Sequence, residues 1–186
     1  MRYKEYNVNR VLEKCIKLFW SKGFRGCSIN EIVSKTGVNR FSLYHEFEDK
    51  EGILYNSLAL YKERYANPKF EILKKKGNIK DILYEFYMSF LKLTNEQQGC
   101  YFIHIGTELA DFDSKIKHIV QEYLNEIENS IKNMLEQNGD SLASDFLSRH
   151  LIGLFCTSMS FCLILSEEQR DYHIKNGINL ILNQKK

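Results

Sequence analysis

Two short capped helices with a glycine turn between them restrict the fold of this chain more than any other feature. Ser28 and Glu31 form a capping box, in which each side chain binds the other residue's backbone N–H at a helix start. Gly37 supplies a turn, and Asn39 is a good N-cap residue for the next helix. A helix, a turn of about three to four residues and a second capped helix predict a helix-turn-helix.

The apolar residues of this region recur every three or four positions, as they do on the packed face of a helix. A first helix is predicted from Asn7 to Lys22, with Gly23 after its end. The predicted inward residues are Val8, Val11, Leu12, Cys15, Leu18 and Phe19 in the first helix, Ile29, Ile32 and Val33 in the second, and Val38, Leu43 and Phe47 in the third.

The outer side of the third helix carries side chains suited to DNA, whose major groove is wide enough to admit a helix. Arg40 is long, cationic and forked, so it can pair with a guanine edge or with a phosphate. Asn39 and Ser42 are short and polar, which suits base edges or phosphates near the helix start. Tyr44 and His45 can donate to phosphates, and such contacts set the register of the protein on DNA.

Three further residues complete the predicted DNA-binding set. Phe41 is apolar on an exposed face, where it either contacts a thymine methyl group or covers neighbouring side chains. Ser28 lies at a helix N-terminus, where backbone N–H groups favour a phosphate. Lys50 follows the N-cap candidate Asp49 at the start of a fourth helix and offers a second phosphate clamp.

The charges are distributed as expected for a DNA-binding head on a helical body. Residues 1–50 contain ten Lys and Arg against six Asp and Glu, a balance of +4. Residues 51–186 contain sixteen against eighteen, a balance of −2. A basic head on a mildly acidic body supports DNA binding by the first fifty residues.

The rest of the chain is predicted to be helical, because it contains one proline and no strand-like alternation. The apolar run from Leu151 to Leu165 is shorter than a membrane span and predicts a buried helix. We therefore expect an all-α protein of about nine helices, with a three-helix DNA-binding domain at 1–50 and a helical body at 51–186. The predicted body helices are Lys50 to Tyr65, which Asn67-Pro68 ends, then 79–94, a short helix after Gln98-Gly99, 112–135, 142–165 and 168–183.

The stretch from Phe19 to Leu54, FWSKGFRGCSINEIVSKTGVNRFSLYHEFEDKEGIL, resembles the DNA-binding domain of the TetR family of bacterial regulators. The matching features are Gly-Phe after a helix ending in Phe, Ser-Ile-x-x-Ile, Thr-Gly-Val-Asn, Leu-Tyr-x-x-Phe and Asp-Lys-Glu. Two positions depart from the family pattern: Phe41 stands where a small residue is frequent, and Val33 stands where Ala is frequent.

This resemblance implies a dimeric repressor on a double-stranded, palindromic DNA operator. Residues 51–186 would be a ligand-binding and dimerisation domain, in which the last two helices of each subunit form the interface. A small ligand in this body would move helix 4 and release the operator, and the apolar aromatic residues of the body favour a lipophilic one. Such a ligand must prefer the conformation that does not bind DNA. In the family, the residues that match Ser28, Asn39, Arg40, Ser42, Tyr44, His45 and Lys50 commonly contact DNA.

Candidate ligand-binding residues in the body are open to two interpretations. The apolar candidates line a pocket or belong to an ordinary core, whereas His104 and Glu108, four apart on one helix, bind a polar group of the ligand or pair with each other. The helix past Leu151 is apolar almost all round, which favours cover by a second subunit. The apolar candidates are Phe86, Phe90, Tyr101, Phe155 and Met159.

Other functional classes find little support. The body has no Glu-x-x-His pair, no glycine-rich phosphate loop and no nucleophile motif, so an enzyme is not expected. The histidines lack metal-ligand spacing, and neither a metal nor a cofactor is expected. Five cysteines without a CxxC pair indicate mostly buried thiols in the reducing cytoplasm. Because the longest apolar run is too short to span a bilayer, no membrane association is expected. The alternative that remains is a regulator whose body binds a protein partner.

Overall fold

The computed structural model describes residues 6–91, 99–139 and 143–183, and within these ranges the secondary structure is entirely helical. A one-turn helix, α5, extends α4, and the nine other α-helices match the nine that were predicted. The helices are α1 Val8–Lys22, α2 Ile29–Thr36, α3 Arg40–Phe47, α4 Lys50–Tyr61, α5 Asn67–Phe70, α6 Ile79–Leu91, α7 Tyr101–Leu109, α8 Ser114–Gln137, α9 Ser144–Ser160 and α10 Glu167–Leu182.

The caps of α2 and α3 are the predicted ones. The Glu31 backbone N–H donates to Ser28 Oγ over 3.2 Å, and the Ser28 N–H donates to Glu31 Oε2 over 2.8 Å. Gly37 ends α2 at φ 78°, in the left-handed region that a Cβ disfavours. The Ser42 N–H donates to Asn39 Oδ1 over 2.9 Å at the start of α3. These local bonds set the lengths of the two helices.

The chain stays helical beyond the point where Pro68 was expected to stop α4. A π-helical turn at Lys62–Ala66 follows α4, then α5, and then a 3₁₀ turn at Glu71–Lys74. Pro68 lies in the first turn of α5, the part of a helix that tolerates proline best. As a result, Lys69 and Phe70 are carried into the body instead of lying in a loop.

One continuous core of buried side chains runs from the head into the body. The predicted inward faces of α1 to α3 lie in it, with Leu43 and Ile32 fully buried. α1 has a second buried face that the periodicity did not predict. On this face, Trp20 packs against Tyr61 and Tyr101 with ring centroids 5.5 and 5.4 Å apart. Helix α1 is thus shared between the two parts of the fold.

Helix α9 ends at Ser160, five residues before the predicted end at Leu165. Residues 161–165 form a turn, and Ser166 then caps α10 through a capping box with Gln169. The predicted helix end at Thr94 and the predicted starts at Gln98 and Leu142 lie outside the described residues. Among the described helices, none has both the length and the apolar character that crossing a membrane requires.

Candidate nucleic-acid interface

Helix α3 presents its polar side outward, as the sequence predicts. Leu43 and Phe47 anchor the helix from below and are buried. Arg40, Phe41 and His45 are exposed, and Ser42 and Tyr44 are half-buried at the edge of the same face. Asn39 and Ser28 lie exposed at the starts of α3 and α2. The fold therefore brings seven of the eight candidate DNA-binding residues to α2 and α3, and Lys50 lies at the start of α4.

Arg40 and Tyr44 orient each other across one turn of α3. The Arg40 guanidinium carbon lies 5.2 Å from the centroid of the Tyr44 ring, and Nη2 donates to Tyr44 Oη over 3.4 Å. A cation over an aromatic face is attracted by the negative charge of the ring face. The guanidinium keeps its other donors for a guanine edge or a phosphate, since no described acidic side chain pairs with it.

Phe41 projects away from the protein with 81% of its surface exposed. Its ring has one aromatic neighbour among the described residues, His45, with centroids 6.2 Å apart. The sequence allowed two roles for Phe41, a contact to a thymine methyl group or cover for neighbouring side chains. Because so much of the ring is exposed, it covers little of its neighbours and adds apolar surface to the outward side of α3.

Two contacts that sequence reasoning missed hold the reading helices in place. The Tyr6 hydroxyl donates to the Ser42 carbonyl over 3.2 Å, and the Lys14 ammonium donates to the Thr36 carbonyl over 3.3 Å at the end of α2. A lysine near the last carbonyls of a helix is favourable because those carbonyls carry partial negative charge. Neither contact leaves a local sequence signal, since each joins residues more than twenty positions apart.

The side chain of Lys50, a candidate phosphate contact, is held by interactions with Phe24. Its ammonium donates to the Phe24 carbonyl over 2.7 Å and lies 4.1 Å from the centroid of the Phe24 ring. Because an ammonium has three donors, two remain for a phosphate. The start of α4 is thereby tied to the loop between α1 and α2.

The joint between α3 and α4 is tight. Glu48 adopts φ 73° and ψ −57°, and the Asp49 N–H donates to the Phe47 carbonyl over 3.0 Å, which closes a γ-turn. A Cβ added at Gly52 would lie 1.8 Å from the Phe47 carbonyl oxygen, so this position needs glycine for close approach. Because this connection is short and closely packed, we expect a displacement of α4 to displace α3 as well.

Glu108 on α7 binds the head directly. Its Oε2 accepts from the Phe24 N–H and its Oε1 accepts from the Arg25 N–H, each over 2.8 Å. The sequence left open whether this carboxylate binds a polar group of a ligand or pairs with His104; in the structure both of its oxygens bind backbone of the α1–α2 loop. Phe24 thus joins α7 through its N–H and α4 through its carbonyl, because Lys50 donates to the latter.

His104, one turn before Glu108, faces the same side of α7. Burial lowers the pKa of His104, and the nearby Glu108 charge and the Phe19 backbone oppose that shift. Its Nε2 is buried without a hydrogen-bond partner among the described residues. The pair predicted from the spacing is therefore at the junction of head and body, against α1.

Comparison with known proteins assigns this arrangement to a family. Residues 11–55 match the family model described as bacterial regulatory proteins, tetR family, which spans most of α1, all of α2 and α3 and the start of α4. Residues 11–55 are therefore a TetR-family helix-turn-helix DNA-binding domain. The protein is a helix-turn-helix regulator of transcription, and the family of its DNA-binding domain is not one of enzymes.

The relatives of this chain are distant in sequence, and the solved structures among them are close in fold. It is 23% identical over 160 residues to the uncharacterized HTH-type transcriptional regulator YezE of Bacillus subtilis (strain 168), covering 81% of this chain and 82% of that protein. It is 26% identical over 131 residues to the HTH-type transcriptional repressor ComR of Escherichia coli (strain K12), covering 65% of this chain and 62% of ComR. A cysteine mutant of the TetR-family regulator CifR, complexed with 26-bp double-strand operator DNA, superposes with a TM-score of 0.86 at 13% identity, over 96% of this chain and 98% of that one.

The candidate ligand residues of this chain lie in three separate places. Phe86, Phe90 and Phe155 pack together, with ring centroids 5.1 to 5.6 Å apart, and Met159 is buried in the same core. Tyr101 belongs to a second aromatic group with Trp20 and Tyr61. His104 and Glu108 face the head. The structure thus joins the first four residues and separates them from the other three.

A group of buried polar side chains lies between the two aromatic groups. Ser57 Oγ and Tyr101 Oη are 3.0 Å apart, and the Cys100 thiol donates to Tyr123 Oη over 3.7 Å. The Lys69 ammonium lies 4.1 Å from the centroid of the Phe90 ring. Sequence reasoning missed Lys69, because a lysine next to a proline is ordinarily read as part of a surface turn.

Proposed function

We propose that this TetR-family protein is a cytoplasmic, dimeric repressor that reads a palindromic operator with α3 and leaves it when a small lipophilic molecule binds the body. The observation that carries DNA reading is the outward face of α3, where Arg40 and Tyr44 are held together above a buried anchor. Repression is the activity named for the relative ComR, and operator DNA is bound by the structural relative CifR.

The side chains on this face suggest a division of work. Arg40 reads a guanine edge, since its forked donors match the two acceptors that guanine presents in the major groove. Phe41 contacts a thymine methyl, since its ring is exposed on the reading side. Phosphate contacts, which set register, are assigned to Ser28, Asn39, Ser42, Tyr44, His45 and Lys50.

Exposed apolar side chains on the last two helices support a homodimer. Tyr172 and Leu180 on α10 are 70% and 68% exposed, and Leu163 and Ile164 in the α9–α10 turn are 73% and 75% exposed. A monomer rarely leaves so many large apolar groups in water on one pair of elements. Pairing of α9 and α10 with their copies would cover them and set the spacing of two reading heads.

We further propose that the head comprises residues 1–50, that the body comprises residues 51–186, and that Glu108 couples the two. A ligand that shifts α7 would pull the α1–α2 loop through the two bonds from Glu108 to Phe24 and Arg25. The Lys50 bond to Phe24 would transmit the same displacement to α4. An effector can act in this way only by binding the displaced conformation more tightly.

The proposal is tested by measuring the affinity for labelled duplexes from the DNA upstream of the gene by fluorescence anisotropy. The measurement is repeated over a range of salt concentrations and with scrambled duplexes as the control. We expect salt-dependent binding, and Arg40→Ala should reduce preference for the upstream duplex by about 5- to 150-fold, the equivalent of one bidentate base contact. Tyr44→Phe keeps the ring against the Arg40 guanidinium and removes the hydroxyl, so it should weaken all duplexes alike, because a phosphate contact carries no sequence information.

The charge-matched control is Lys117→Ala on the exposed side of α8, far along the chain from the reading face. It should leave both affinity and preference unchanged. Salt-independent binding, or equal losses in Arg40→Ala and Lys117→Ala, would contradict the assignment of α3 as the reading helix.

A further inference from the structure

The ammonium of Lys69 is buried in the body without a counter-charge. Its Nζ has no access to solvent and makes no hydrogen bond with the described residues, and no described carboxylate forms an ion pair with it. It lies over the Phe90 ring, and the Cys100 thiol is near enough to act on its pKa. A buried ammonium whose donors are unsatisfied is costly, and such groups in native proteins call for a partner.

Burial lowers the pKa of Lys69 from 10.5 to about 8, so the amine remains mostly protonated near neutral pH. The described neighbours offer no negative charge under those conditions. Burial raises the pKa of the Cys100 thiol and raises those of the Tyr61 and Tyr123 hydroxyls well above their ordinary value, which keeps all three neutral. The positive charge of Lys69 is therefore not compensated by the groups around it.

The surroundings of Lys69 are suited to a ligand with an apolar part and a charged end. Phe90 packs edge-to-face against Phe86 and Phe155 on one side. Phe70 contacts Phe86 and links that group to Tyr123, with the Phe70 and Tyr123 ring centroids 6.3 Å apart. The buried Tyr61 hydroxyl also lacks a hydrogen-bond partner among the described residues. Two unpartnered polar groups thus lie among aromatic rings, an arrangement typical of small-molecule sites.

We propose that the effector of this protein is a lipophilic organic anion whose carboxylate or sulfonate pairs with Lys69 while its apolar part packs among the body aromatics. This inference rests on the proposed function of the body as an effector domain, and it names the class of effector. A cationic ligand would meet like charge at Lys69, and a neutral one would leave the ammonium unpaired. An anion supplies both the charge and the acceptors, and a charge-assisted bond in an apolar site is strong.

A matched pair of fluorescent probes tests the charge requirement on the full chain. Anilinonaphthalene sulfonate carries an anion, and N-phenylnaphthylamine has the same ring system without it. We expect Lys69→Met to weaken the sulfonate at least about tenfold and to leave the neutral probe unchanged or bound more tightly. Lys69→Arg should restore most of the sulfonate affinity, and Lys76→Met, which removes an exposed lysine, should change neither.

The proposal is overturned if Lys69→Met binds the sulfonate as tightly as wild type, or if it loses both probes equally. It is also overturned if Lys76→Met weakens the sulfonate as much as Lys69→Met does, because the anion then responds to surface charge. Operator binding without any probe is measured separately. A protein that binds the sulfonate as expected but binds no duplex supports the anion site and refutes the proposed function.

Discussion

Replacement of Glu108 should loosen the junction between head and body by an amount that can be derived from its two bonds. Each carboxylate oxygen accepts one backbone N–H over 2.8 Å. A hydrogen bond to a charged group contributes about 1.5 to 3 kcal/mol, and the half-buried position of Glu108 favours the lower limit. We therefore expect Glu108→Ala to lower the free energy of unfolding by about 2 to 3 kcal/mol and Glu108→Gln, which keeps one acceptor, to lower it by about half of that.

Two measurements check this prediction at fixed protein concentration. Urea denaturation gives the change in the free energy of unfolding, and hydrogen exchange reports the Phe24 and Arg25 amides one by one. Both amides should lose protection in Glu108→Ala and one of the two in Glu108→Gln, whereas the amides of α2 should keep theirs. Asp111→Asn, which removes an exposed carboxylate close to α7, is the matched control and should change neither quantity.

The reasoning is refuted if the Phe24 and Arg25 amides exchange at the wild-type rate in Glu108→Ala. The proposed coupling of head and body through Glu108 is refuted if the effector releases the operator from Glu108→Ala as fully as from wild type. Gly23→Ala disturbs the same contact from the side of the head, because its Cβ would lie 3.0 Å from Glu108 Oε2 and its φ is +74°. In this variant too, the Phe24 and Arg25 amides should lose protection from hydrogen exchange.

Three further predictions concern the body. Lys69→Met should stabilise the protein by up to about 3 kcal/mol below pH 8, because the pKa of Lys69 is 10.5 in the unfolded chain and about 8 in the folded one. The stability of the wild type then rises with pH between pH 8 and pH 10.5. Urea titrations at the two pH values should show that the stability difference between variant and wild type disappears at the higher one. Tyr101→Phe should cost about 1 kcal/mol in the same assay, because Ser57 keeps its bond to Leu54, and a loss above about 3 kcal/mol would mean a larger network. Leu180→Glu should convert the dimer to a monomer by light scattering, and an unchanged mass would refute α10 as the interface.

The reading head could be predicted in detail because its signals are local. Ser28 binds Glu31 three residues away, Asn39 binds the N–H of Ser42, and Gly37 takes the one backbone conformation that a side chain disfavours. Interactions over three or four positions form within a single turn, so residue identity alone selects them. The outward position of Arg40 and Phe41 then follows from the inward position of Leu43 and Phe47.

The all-α class, the helix-turn-helix and its outward face therefore follow from residue order alone. Three features do not: Glu108 binds Phe24 across 84 positions, α1 is buried on two faces, and the chain stays helical past Pro68 and carries Lys69 into the core. These features depend on which helices pack together, and the packing is the sum of many weak contacts between residues far apart in the chain. Periodicity marks a buried face, but it does not say which helix, loop or charge lies against that face.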